Sequence, residues 1–155
     1  MALENTKIIR EQDGAVLRVK SGGSVVVESG GFLDNGSAVA GATIVVGAES
    51  TNVRAITVQL TDAAGADIAV RQLVKIVVLF DASGDAFVAT GGSTGIAIGT
   101  DGALLALVAK KAFLAISEAD GDIDLTWTDT GTEVAYLGVI LPSGKMVISA
   151  ALTNT

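Results

Sequence analysis

The run Val74-Lys75-Ile76-Val77-Val78-Leu79-Phe80 constrains this chain more than any other. Apart from Lys75 it is apolar on both faces of an extended strand. That pattern belongs to a strand in the middle of a sheet, with material packed on each side. Just upstream, Ile56, Val58 and Leu60 alternate with Thr57, Gln59 and Thr61, the period of a strand with one face buried and one wet. A Gly/Asp-rich turn at Asp62–Asp67 joins the two. A chain of 155 residues rarely covers both faces of a central strand with its own elements. Part of that cover is therefore expected from another subunit.

From Val53 onward, segments of strand length are separated by turn clusters at Asp62–Asp67, Asp81–Asp85, Gly91–Gly95, Gly99–Gly102, Asp120–Asp122, Asp129–Thr132 and Pro142–Gly144. Short strands at this spacing predict an all-β chain with a β-sandwich over residues 52–155. Asp122–Thr128 alternates cleanly and puts Ile123, Leu125 and Trp127 on one face. Val134, Tyr136, Gly138 and Ile140 share a side of the next segment, and Met146, Ile148 and Ala150 share a side of the last. Ala103–Glu118 is rich in Ala and Leu, which favours a helix. Its position among strands, with Lys110-Lys111 where a hairpin would bend, favours two strands instead.

Upstream of the sandwich the composition changes. Residues 1–14 are polar and mixed in charge, with Ile8-Ile9 as the one apolar pair, and read as an arm that orders on a partner. Val16–Gly23 and Ser24–Gly31 are two octads, each a short strand, a charged residue and Ser-Gly-Gly. Gly-Gly permits the tight reversals of a β-solenoid rung or a hairpin. Asn35-Gly36 signals a further turn, and Ala48–Asn52 reads as a linker. The expected division is an N-terminal arm over 1–14, a Gly-rich β-repeat segment over 15–51 and the sandwich over 52–155.

Composition narrows the chemistry. Histidine and cysteine are both absent, which removes the usual general base, the commonest metal ligand and any disulfide framework. The net charge of −7 leaves the chain as a whole without the basic face that nucleic acid requires. No apolar run reaches the ~18–20 residues of a membrane helix. Half of the residues are nevertheless hydrophobic, so the surplus is expected at subunit contacts, with Val25, Val27, Phe32, Val77 and Leu79 as candidates. The N-terminus carries no signal-peptide pattern, which suits synthesis in the cytoplasm.

Three motifs bear on chemistry. Asp120-Gly-Asp122-Ile-Asp124 has the carboxylate spacing that opens a calcium loop, but Leu125 stands where an EF-hand needs Gly and its closing Glu is out of place. These carboxylates read as solvated turn residues, so no metal or cofactor is expected. Gly91-Gly92-Ser93-Thr94-Gly95 lacks the Lys-Ser/Thr ending of a phosphate loop and reads as a loop that is mobile or ordered by a partner. Trp127 and Tyr136 fit ordinary core positions, with a sugar-stacking platform as the sharper alternative. No catalytic residue is singled out, and the chain is expected not to be an enzyme.

The block Ile56–Asp67 and the later Ile116-Ser-Glu-Ala-Asp-Gly-Asp-Ile-Asp-Leu-Thr126 resemble bacterial Ig-like domains of invasin type, and the closing Ala135–Lys145 belongs to the same layout. Ser117-Glu118 stands where that pattern has Thr-Asp. Joined to the Val16–Gly31 repeat, the layout looks like tailed-phage head decoration (cement) proteins and head fibres. The resemblance implies an Ig-like β-sandwich and a non-enzymatic virion protein. Such a protein binds the outer surface of the capsid as a homotrimer, with the major capsid protein as partner and neither nucleic acid nor membrane involved. It also implies a capsid-binding arm, for which Lys7, Ile8, Ile9, Arg10, Arg18 and Lys20 are the candidates. The alternative is a tail-fibre or adhesin module that binds a receptor or glycan.

Overall fold

The computed structural model of the chain describes Ile8–Arg10, Leu17–Val19 and residues 39–155. The chain divides into two compact units, Met1–Leu33 and Asp34–Thr155. In the first, β1 (Ile8–Arg10) pairs antiparallel with β2 (Leu17–Val19), setting Ile8 opposite Val19, Ile9 opposite Arg18 and Arg10 opposite Leu17. Residues 8–10, read from sequence as part of an arm, are thus one strand of a hairpin whose other strand comes from the first octad. The second octad and the Asn35-Gly36 turn signal lie outside the described residues.

The second unit contains β3 (Gly41–Ser50), β4 (Val53–Thr61), β5 (Leu73–Leu79), β6 (Gly95–Ile98), β7 (Ala103–Val108), β8 (Ala112–Ile116), β9 (Asp122–Thr128), β10 (Tyr136–Ile140) and β11 (Met146–Ala151). All pairings are antiparallel. Four strands form one sheet in the order β3-β4-β9-β6, and five form a second in the order β11-β10-β5-β8-β7. Among the described residues there is no helix, so none is long and apolar enough to cross a membrane.

The alternation read in the sequence places the core. Ile56, Val58 and Leu60 of β4 and Ile123, Leu125 and Trp127 of β9 point inward from the first sheet. Val74, Ile76 and Val78 of β5, Phe113 and Ala115 of β8, and Leu137 and Val139 of β10 meet them from the second. Each fully buried large aliphatic side chain contributes roughly 1.5–3 kcal/mol. This shared core makes the two sheets a β-sandwich, as the turn spacing predicts. Ala103–Glu118 is two strands, and the bend between them falls at Lys110, whose φ is 62°.

The boundary expected at residues 48–52 is not a linker. β3 and β4 are one long hairpin, registered from Gly41 opposite Thr61 to Ser50 opposite Val53, so residues 41–50 belong to the sandwich. Thr51 (φ 53°) and Asn52 (φ 65°) form its two-residue turn, with both central residues at positive φ as a type I′ turn requires. Asn tolerates that region, whereas a β-branched Thr is strained there. Surrounding contacts hold the turn. The Asn52 N–H donates to the Glu49 carboxylate (3.2 Å), and the Asn52 carbonyl accepts from Asn154 Nδ2 (2.6 Å). Glu49 also accepts from the Thr155 N–H and hydroxyl, both at 3.0 Å. Those bonds, first among the causes, hold its carboxyl below the usual range.

Candidate functional site

The face of the five-stranded sheet that points away from the core is where the sequence departs from ordinary solvated β-structure. In register across it lie Ala103, Ile116 and Leu73, then Leu105, Leu114, Lys75, Ile140 and Met146, then Val108, Ala112, Val77, Gly138 and Ile148. Lys75 is the one charged residue in these rows. Leu105 is 63% exposed, Leu73 and Val108 are each 53% and Ile116 is 44%. An open depression of about 480 Å³ lies on this face, lined in part by Leu73, Lys75, Leu114 and Ile140.

β5 sits at the centre of its sheet, as its two-sided apolar pattern requires, and part of its outer cover comes from its own chain. The loop after β5 folds back so that Phe80 N–H donates to the Ala86 carbonyl (3.0 Å) and Val88 N–H to the Val78 carbonyl (3.1 Å). Asp81 Oδ1 fixes the turn by accepting from the N–H groups of Ser83 (2.9 Å) and Gly84 (3.0 Å). Gly84, at φ 80°, lies over the Met146 and Ile148 side chains, where a Cβ would come within 2.5 Å of Met146 Cε. Val77 and Leu79 are consequently only 9% and 4% exposed. A smaller depression of about 280 Å³ remains between them, Phe87, Ile140 and Met146. The exposed apolar side chains of this face are therefore not Val77 and Leu79 but Leu73, Leu105, Val108 and Ile116. Sequence reasoning missed these four. For Leu105 and Val108 the available signal was the absence of polar alternation in Ala103-Leu-Leu-Ala-Leu-Val108.

The Gly91–Gly95 loop is not a phosphate cradle, and its own chain orders it. The Glu133 carboxylate occupies its donors, accepting from the N–H groups of Thr90 (3.0 Å), Gly91 (3.0 Å) and Gly92 (2.9 Å) and from the Thr90 hydroxyl (2.6 Å). Burial alone would raise the Glu133 pKa. The bonds from Thr90, Gly92 and Gly91 outweigh it and hold the carboxyl below its usual range. The buried Asp129 accepts from Ser93 N–H (3.0 Å), Gly131 N–H (3.1 Å) and Glu133 N–H (3.2 Å). From the β7–β8 turn, the Lys110 ammonium donates to the carbonyls of Gly92 (3.1 Å) and Ser93 (2.6 Å). The loop expected to be mobile or ordered by a partner is thus clamped from three directions.

The loop also closes over Trp127, which is fully buried. A Cβ at Gly92 would sit 2.8 Å from the indole ring. Tyr136 is half-buried and lies in the other sheet, since β9 and β10 belong to different sheets. The two aromatics make no common platform, and Trp127 has no face to offer a sugar ring.

Asp122 and Asp124 are joined by Asp101, which precedes β7, and the three carboxylates approach within 4.8 Å of one another. Asp124 Oδ1 accepts from the Thr57 hydroxyl (2.9 Å), while Asp122 Oδ1 is buried without a hydrogen-bond partner. Burial first, then the charges of Asp124, Asp120 and Asp101, push the Asp122 carboxyl up. A calcium ion takes six to eight oxygens. At one converging oxygen each, these three carboxylates supply at most half of that shell, and the cluster reads as a local concentration of negative charge.

Of the candidate arm residues, Ile8, Ile9, Arg10 and Arg18 lie in the β1–β2 hairpin, while Lys7 and Lys20 lie outside the described residues. So do the interface candidates Val25, Val27 and Phe32. Comparison with known protein families, with characterised proteins and with solved structures found no match for this chain.

Proposed function

We propose that this chain is a non-enzymatic structural protein of a tailed-phage virion, a decoration protein that assembles as a homotrimer on the outer capsid surface and stabilises the shell. The observation that carries the reading is the outer face of the five-stranded sheet. Its exposed Leu73, Leu105, Val108 and Ile116 sit beside half-buried Leu114 and Ile140 with one charge, Lys75, among them. Contiguous exposed apolar patches on soluble domains mark interaction surfaces. A face of this kind is suited to packing against sister chains or a larger particle. The other features are consistent with a structural role. Glu133 and Asp129 are committed to loop N–H groups, and Trp127 is sealed in the core.

The strand orders support an Ig-like lineage. β3-β4-β9-β6 takes the places of the A, B, E and D strands of an immunoglobulin sandwich, and β11-β10-β5-β8-β7 those of G, F, C, C′ and C″. The sequence order departs in one segment. β6, in the D place, comes before the β7–β8 hairpin, and that hairpin enters from the sheet edge rather than from β5.

The energetic role is linkage. A protein that binds only the mature shell stabilises it by about 2.7 kcal/mol at a free concentration one hundred times its Kd. Lys7, Arg10, Arg18 and Lys20 put four of the ten basic residues into the first twenty, near the β1–β2 hairpin, and suit an acidic shell surface. The test is sedimentation of the purified chain alone and with empty expanded capsids. A trimer that co-sediments and raises the melting temperature of the shells supports the reading. A monomer at high concentration that leaves the shells unbound overturns it.

A further inference from the structure

The five-stranded sheet ends on β7, and that edge is unusual. Natural edge strands are blunted by charge, proline or bulges, because their outward N–H and C=O groups will pair with any suitable strand. Ala103-Leu104-Leu105-Ala106-Leu107-Val108 contains neither a charge nor a proline. Its one irregularity is a bulge at Leu107, which leaves residues 103–106 in regular register with β8. Five of its six residues are exposed. The ends of the strand carry opposite charges. Asp101 precedes it, within the cluster of Asp122 and Asp124, and Lys110-Lys111 follows it at the hairpin tip.

We infer that β7 pairs antiparallel with β7 of a second copy of this chain, across a two-fold axis, to make one continuous ten-stranded sheet. Antiparallel pairing of a strand with itself sets the start of each copy against the end of the other. Here it sets the Asp101 cluster of each chain against the end of its mate that carries Lys111, Lys110 being held by the Gly92 and Ser93 carbonyls of its own chain. Parallel pairing would instead bring the two acidic clusters together. At the centre, leucines face leucines across the new ladder, the kind of cross-strand pair that stabilises sheets. This inference rests on the reading of the chain as a self-assembling structural protein. It adds which strand makes the contact and with what symmetry. A two-fold contact joins two chains only, so in a shell-bound trimer it links one trimer to the next.

The chain has no cysteine, so single substitutions report the contact directly. Leu104→Cys, Leu105→Cys and Ala106→Cys are made one at a time, with Ser143→Cys on the Pro142–Gly144 turn as a control, and each is exposed to mild oxidant. At least one of the three, the one nearest the two-fold axis, is expected to form a disulfide-linked dimer well above the control. Mixing Asp101→Cys with Lys111→Cys is expected to give a cross-linked pair that neither gives alone. Ala106→Lys changes an exposed position outside the outer-face rows and is expected to abolish the Asp101→Cys/Lys111→Cys cross-link with the trimer mass and melting temperature unchanged. If a folded Ala106→Lys keeps that cross-link, or no β7 cysteine cross-links beyond the control, the assignment of β7 is overturned. Persistence of a trimer in that case leaves the reading of the function standing, whereas a wild-type monomer removes both.

Discussion

At the scale of single residues, the chain uses carboxylates to organise backbone. Glu133 illustrates this, because one side chain satisfies three N–H groups and a hydroxyl. Hydrogen bonds to a charged group are worth about 1.5–3 kcal/mol net, and a buried N–H left without a partner adds to the loss. Glu133→Ala is therefore expected to lower stability by about 2 kcal/mol at neutral pH in urea titration, and to speed amide exchange at Gly91 and Gly92. The pH dependence follows from the depressed pKa. The charged form is favoured by folding, so its contribution is fully present above the ordinary glutamate value of about 4.3. It is lost as the pH falls from there through the lower folded value, and the gap between wild type and variant should close over that interval. A gap that stays constant into acid would mean that the carboxylate charge is not what holds the loop. None of this was legible in the sequence, where Glu133 is one acid among many. The loop it clamps was visible only as glycines.

At the scale of elements, much more was legible. β9 runs over Asp122–Thr128, the bounds its alternation predicts, because period-two burial on a one-sided strand writes itself into the sequence. β5 was legible as central for the opposite reason, its lack of alternation. What sequence could not supply was the identity of the cover. The loop over Val77 and Leu79 looks like any Asp/Gly turn until Gly84 and Gly138 are seen to make room for the packed side chains. A Cβ at Gly138 would lie 2.7 Å from Val77 Cγ2 and 2.9 Å from Leu79 Cδ1. Overpacking of this kind costs about 1–3 kcal/mol, against about 0.4–1 kcal/mol recovered when a Gly→Ala change restricts the unfolded chain. Gly138→Ala should thus be a net destabilisation of about 1 kcal/mol, read as a fall in melting temperature. An unchanged or raised melting temperature would mean that the loop yields readily and that β5 is more open on this side. The β3–β4 turn was misread for a related reason. Thr51-Asn52 lacks the glycine that normally marks a type I′ turn, and its positive φ values are held by Glu49 in the adjoining strand and by Asn154 from the far end of the chain.

At the scale of the whole molecule, the two compact units divide the proposed work. The buried core runs from Val39 to Leu152 and draws on both sheets of the second unit, so that unit carries its own driving force for folding. It also holds the apolar outer face and the β7 edge, while the basic residues proposed for the shell belong to Met1–Leu33. Self-association and attachment to the shell should therefore separate on cutting the chain. A fragment Asp34–Thr155 is expected to unfold cooperatively within a few degrees of the full chain, because it retains every strand of the sandwich. It should keep the full chain's assembly number in sedimentation, and it should fail to co-sediment with capsids. If the fragment associates and also binds shells, the outer sheet face rather than the N-terminal unit is the docking surface. If it remains folded but monomeric, the first unit holds the copies together and the exposed leucines of β7 and Ile116 of β8 serve some other contact.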